Sequence, residues 1–207
     1  MKGLLLKDFY MMKKYCRVYP IFVVVFTAAA LVSYDNLFCV FYPCVLCAML
    51  PVSLLGYDER SRWIQYSGTL PYTKAQIVSS KYLIGLSAQI IVILVTGITQ
   101  GVKISMNGGF RINDLIVLML TMLIIGSFSS ICLPFIFKWG TEKGRIAYYV
   151  MIGFVCAGGF IISSLLKEGW KAEIHSNILL IGLALVGIGI YALSWYLSIV
   201  FYKNREI

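Results

Sequence analysis

Long apolar runs separated by short polar gaps account for most of the chain. Six of them fall at about residues 18–34, 37–57, 83–102, 115–137, 146–166 and 178–202. A bilayer core about 30 Å thick is crossed by roughly 20 apolar residues of helix. Each run therefore predicts a spanning helix, and the expected fold is an all-α membrane protein with six transmembrane helices. Little more than Asp35 and Asn36 separates the first two runs, which predicts a tight helical hairpin. The second run holds Pro43 and Pro51.

Two stretches outside these runs carry patterns of their own. Over residues 1–17, Lys2, Lys7, Lys13, Lys14 and Arg17 fall in one arc at 100° per residue, while Leu4, Leu5, Phe9, Met11, Met12, Tyr15 and Cys16 fall opposite. Asp8 on the apolar side and Leu6 on the basic side break the pattern. A basic amphipathic helix beside a span lies in the headgroup plane. Residues 58–82 form the longest and most polar gap. Acidic residues first and arginines shortly after suit the dipole of a short helix. Gly68 through Pro71 break it, and Thr73 with Gln76 has the spacing of a capping box that opens a second short helix. This helix–turn–helix is expected to expose Trp63, Ile64, Leu70 and Tyr72, either as a docking surface or to the lipid interface.

Composition agrees with a bilayer. Hydrophobic residues make up 60% of the 207 and charged residues 13%, against about 25% charged in soluble domains. One domain over 1–207 is expected. The net charge of +9 is not a nucleic-acid signal, because the basic residues alternate between gaps: 14 of the 18 Lys and Arg fall on one side of the six-span arrangement. Positive residues stay cytoplasmic, which puts both termini there. The opening apolar stretch is too short for the core of a cleaved signal peptide.

The chemistry that is missing narrows the function. No expected span carries Asp, Glu, Lys, Arg or His at its middle, which argues against an ion-coupled secondary transporter. His175 is the single histidine, and neither HExxH nor a GxxxxGK[ST] phosphate loop occurs. An intramembrane enzyme lacks its residues, and no catalytic residue, metal or cofactor is expected in this chain. Cys16, Cys39, Cys44, Cys47, Cys132 and Cys156 lie mostly in apolar runs without charged or histidine neighbours. Cys44-x-x-Cys47, the one pair spaced for redox or metal chemistry, has no charged or histidine neighbour, and the thiols read as small apolar residues. Gly126-x-x-x-Ser130 and Gly153-x-x-x-Ala157 permit close helix approach. Gln89, Thr96, Thr99 and Gln100 form a mildly polar stripe on the third run. It either lines a pathway or hydrogen-bonds to neighbouring helices.

Met1-Lys2-Gly3-Leu4-Leu5-Leu6-Lys7-Asp8-Phe9-Tyr10, then Tyr57-Asp58-Glu59 through Trp63, Leu70-Pro71 and Lys81-Tyr82-Leu83 resemble the small stand-alone permeases of bacterial ABC-2 type exporters. The resemblance implies that residues 58–82 are a coupling region docking a separate ATPase, with Asp58, Glu59, Arg60, Arg62, Trp63, Leu70 and Pro71 at the contact. Residues 1–17 would be the connecting helix, with Lys7, Phe9, Lys13 and Lys14. Gln89, Thr96 and Gln100 are the candidate pathway residues. ATP and Mg would be bound by the partner ATPase. Two permease copies, as a homodimer or a paralogous heterodimer, would work in the bacterial cytoplasmic membrane. Re-entrant helices would fall near residues 161–175, where Trp170 and Lys171 suit an interface. Cargo would be amphipathic or hydrophobic, such as a peptide, with a role in antimicrobial-peptide resistance.

Overall fold

A computed structural model describes residues 2–32, 37–106, 112–141, 144, 146 and 176–204. The helices are α1 (Lys2–Tyr15), α2 (Val18–Val32), α3 (Leu37–Ala48), α4 (Leu50–Arg60), α5 (Trp63–Ser67), α6 (Lys74–Met106), α7 (Ile112–Ser130), α8 (Cys132–Trp139) and α9 (Ser176–Lys203). Among the described residues, four stretches are long and apolar enough to cross a bilayer: Cys39–Arg60, Lys74–Lys103, Leu115–Trp139 and Ile181–Lys203. They match the second, third, fourth and sixth expected runs. α2, the first run, has only 15 residues and reaches about 22 Å at 1.5 Å per residue. It becomes a fifth candidate only together with α1, from which it is bent by 66°. The run at 146–166 lies, but for Ile146, outside the described residues. So do the re-entrant segment at 161–175, Cys156 and His175.

Prolines break two of the spans. Pro51 stands in the first turn of α4, where its missing N–H is no loss, and α3 ends just before it. Pro134 lies inside α8 and cannot donate to the carbonyl of Ser130, four residues back. Ser194 Oγ of α9 donates to that carbonyl at 2.6 Å. The break between α7 and α8 is thereby tied to a neighbouring helix.

α9 packs on α6, α7 and α8, and α3 packs on α2, α6 and α7. One core gathers Leu55, Ile77, Tyr82, Leu133, Ile136, Phe137 and Tyr202. A second gathers Val23, Val40, Cys44, Cys47, Val92 and Met122. Cys44 and Cys47 are buried free thiols, as their apolar surroundings lead one to expect. The outward faces stay apolar: Ile90, Ile91, Leu94 and Ile98 on α6, and Leu185, Val186 and Ile188 on α9, are all exposed. Such faces suit hydrocarbon rather than water.

The capping box is present. The Thr73 N–H donates to Gln76 Oε1 at 3.2 Å, and the Gln76 N–H donates to Thr73 Oγ at 3.3 Å. The helix it opens is not short: α6 runs unbroken for 33 residues, about 50 Å. It exceeds the hydrocarbon thickness by about 13 residues in all, so its first turns can stand outside the membrane core. Thr73→Ala is expected to cost about 1 kcal/mol, read as a small drop in the thermal midpoint of the purified protein. Gln76→Ala should act in the same direction.

Candidate coupling site

The residues between the second and third expected spans fold into a tight connector. Asp58 and Glu59 do not open a helix, as their order suggests, but occupy the last turn of α4. Arg62 then takes a left-handed conformation, φ 53°, and caps α5. A left-handed turn costs a non-glycine residue roughly 1–2 kcal/mol. Nothing in the composition of Ser61-Arg62 announces it. Gly68 through Pro71 do break the chain, as expected, before α6 begins.

What holds this connector is a closed ring of four charges. Lys81 Nζ lies 2.6 Å from Asp8 Oδ1 and 2.5 Å from Asp58 Oδ2. Lys7 Nζ lies 2.5 Å from Asp58 Oδ1 and 3.4 Å from Asp8 Oδ1. Ser80 Oγ donates to Asp8 Oδ2 at 3.3 Å. Asp8, Asp58 and Lys81 are each no more than 2% exposed. Cations and anions alternate, so every buried charge faces two of opposite sign, which is the condition for burying charge at all. Lys7 also lies over the indole of Trp63, 4.0 Å from the ring centroid. Burial holds the Lys7 ammonium below its ordinary pKa, and the neighbouring Lys81 charge adds to this, against the opposing pull of Asp58 and Asp8. The ring thus fastens α1, α4, α5 and α6 into one block.

Two further ties extend the block. Glu59 Oε2 accepts from the Thr141 N–H at 2.9 Å and from the Thr141 hydroxyl, joining α4 to the turn after α8. Lys74 Nζ donates to the Lys203 carbonyl at 3.2 Å, joining the start of α6 to the end of α9. An open groove of about 680 Å³ runs beside the block, lined by Tyr15, Tyr19, Tyr57, Glu59, Arg60 and Thr141 among others.

The structure re-sorts the expected site residues. Asp58 is buried in the ring and Trp63 is half-buried under Lys7. Arg60, Arg62 and Pro71 are exposed, Leu70 is half-buried, and Tyr66, not singled out by its sequence, is 58% exposed. On α1, Lys13 and Lys14 are exposed, but Lys7 belongs to the ring rather than to a solvated basic face. Phe9 turns outward at 54% exposure, and the inward face is built by Leu4, Leu5, Asp8, Met11 and Met12. Asp8, the misfit in the amphipathic pattern, is thus a central member of the site.

The sequence profile of the ABC-2 family transporter proteins matches residues 3–203. The chain belongs to that family. No curated protein and no solved structure gives a significant match. Membership makes this ABC-2 protein a multi-pass membrane protein and a transport subunit that is not itself catalytic. Among the described residues of the permease, no cluster of three or more His, Cys, Asp or Glu side chains is placed to hold a metal ion.

The polar stripe of the permease lies inside its helix packing. Gln89, Thr96 and Gln100 are all buried. Thr96 is satisfied by its own helix, donating to the Val92 carbonyl at 2.7 Å, with Met122 Sδ also 3.2 Å away. Gln89 is different. Neither its Oε1 nor its Nε2 has a hydrogen-bond partner. Leaving a buried polar group unmet costs about 1–3 kcal/mol, so this amide is an anomaly that packing does not explain.

Proposed function

We propose that this permease is the membrane-spanning subunit of an ATP-driven exporter in the bacterial cytoplasmic membrane, with both termini cytoplasmic. Its α4–α5–α6 connector docks a separate ATPase, which holds the ATP and Mg. Two permease copies, identical or paralogous, form the pathway. The cargo is amphipathic or hydrophobic, such as a peptide, which suits a role in antimicrobial-peptide resistance. The observation that carries this reading is the charge ring. A loop that merely connects two spans has no need of three buried charges and a fourth, half-buried one welding it to α1 and α6. A loop that must pass a push into the membrane does.

In this mechanism ATP binding closes the ATPase pair against the exposed face of α5 and the adjoining turns. Arg60, Arg62, Tyr66, Leu70 and Pro71 form that face. The push passes through Trp63 to Lys7, and through Asp58 to Lys81. α6 therefore moves as a lever instead of the connector bending. The ring is internally neutral and fully paired, so it offers no site to a coupling ion.

The test is co-purification with the ATPase followed by turnover. Arg62→Glu with Tyr66→Ala changes two exposed side chains, of which Tyr66 also has its ring 5.5 Å from that of Trp63. It is expected to cut ATPase stimulation about tenfold or more, the loss of one good contact at 1.4 kcal/mol per decade, while the thermal midpoint of the permease stays put. Undiminished stimulation would remove this face from the coupling role.

A further inference from the structure

Gln89 projects into a cavity of about 160 Å³ between α4, α6, α7, α8 and α9. At 8% exposure it is the deepest polar group there that lacks a partner. Its polar neighbours donate their protons elsewhere. Ser127 Oγ donates to the Leu123 carbonyl at 2.8 Å, Ser130 Oγ to the Ser127 carbonyl at 2.6 Å, and Tyr191 Oη to the Tyr82 carbonyl at 2.8 Å. Gly126 has the space problem in reverse, since a Cβ there would collide with the Gln89 amide. The absence of a side chain at 126 is what lets the amide occupy its place. Ile188, which lines the cavity, is 57% exposed on the apolar outer face of α9.

A carboxamide presents an acceptor and two donors side by side. The group that meets both edges together must offer a donor and an acceptor on one side, and in an apolar cavity it must be neutral. In an extended peptide, the N–H and C=O of a single residue point to the same side. The cavity has the volume of about five waters at 30 Å³ each, room for one residue and not for a folded segment. Its largely aliphatic walls suit an apolar side chain.

We propose that Gln89 is a backbone clamp: it binds the N–H and C=O of one apolar residue of an extended peptide that enters from the bilayer beside Ile188. The physiological meaning, that the bound peptide is cargo, rests on the export reading above; the binding itself does not. The site is formed within one copy of the chain, away from the coupling block.

The experiment uses the full chain alone in lipid nanodiscs, without ATPase, so that failed coupling and failed binding remain separate results. The probes are N-acetyl-leucine methylamide and its ester counterpart, in which oxygen replaces the leucine N–H. Ligand-observed magnetic resonance reads both affinities. The amide should bind about tenfold more tightly than the ester, the discrimination that the net worth of one hydrogen bond gives. Gln89→Leu should erase the preference, leave ester binding in place, and not lower the thermal midpoint, because it removes an amide that nothing in the fold satisfies. Gly126→Ala, which displaces the amide while keeping it in the chain, should weaken the preference too. Equal affinity for both probes in the parent protein would overturn the clamp. So would a preference that survives Gln89→Leu, or a marked fall in the midpoint of that variant.

Discussion

Lys81→Met is expected to destabilise the permease by roughly 3–5 kcal/mol, the range for breaking a buried ion pair by removing one partner. Lys81 is 1% exposed and bridges Asp8 and Asp58. Taking its charge away leaves two buried carboxylates facing one another, with Lys7 as the remaining cation of the ring. Lys7→Met should cost much less. Its side chain is 22% exposed, and Lys81 continues to bridge both carboxylates without it. Denaturant or thermal unfolding in mild detergent reads the two variants side by side. Adding Asp8→Asn and Asp58→Asn to Lys81→Met removes the orphaned charge and should recover a large part of the loss. If Lys81→Met and Lys7→Met fall equally, or the triple variant is no better than the single, the ring is not the keystone of the block.

The same ring sets a pH response through Lys7. Its pKa is lowered in the folded state from an ordinary 10.5. Between the folded value and 10.5 the unfolded chain therefore binds more protons than the folded one. Stability contributed through Lys7 rises with pH across that window. Lys81→Met deletes one of the two causes of the lowering, the like charge, so the window should narrow in that variant.

The helical architecture was legible because lipid imposes it. Apolar runs of span length and a basic bias by side are consequences of the bilayer as solvent, and the second, third, fourth and sixth runs each coincide with a helical stretch long enough to span, the third starting well ahead of its run at Lys74. The Thr73–Gln76 box was legible too, since its partners are three residues apart. The charge ring was not, because it joins residues 8, 58 and 81, and distant partners leave no local pattern. Its trace was an irregularity, Asp8 on the apolar arc of α1. Lys81, just ahead of an apolar run, reads on its own as one more charge of a polar gap. Read as buried charges that each needed a partner, the two would have pointed at one another. Gln89 stood out only as part of a stripe. That Thr96 is satisfied and Gln89 is not depends on which neighbours have carbonyls to offer, a tertiary fact.

Tyr82→Ala is the second substitution expected to be severe, at about 3–5 kcal/mol for removing a buried aromatic side chain. Tyr82 follows Lys81 directly and is fully buried. Its ring stacks on Trp195 at 5.5 Å between centroids and 6° between planes, and meets Tyr191 edge-on at 5.5 Å. Its hydroxyl lies 2.7 Å from both Ser194 Oγ and Ser198 Oγ. Since the Ser194 hydroxyl donates to the Ser130 carbonyl, Tyr82 donates to Ser194 and accepts from Ser198. That chain of donors ends on the carbonyl freed by Pro134, so one side chain links α6, α9 and the break between α7 and α8. Tyr82→Phe keeps the stack and should cost about 1–3 kcal/mol, the penalty for buried hydroxyls left without their partner. Tyr82→Ala also opens a cavity between α6 and α9, and should therefore loosen the lever as well as the fold. Turnover in the presence of ATPase then separates the two: Tyr82→Phe should retain most of the stimulation, and Tyr82→Ala should lose it at temperatures where the protein is still folded. Equal stability losses in the two variants would mean that the hydroxyl network, and not the aromatic stack, holds α9 to the moving helix.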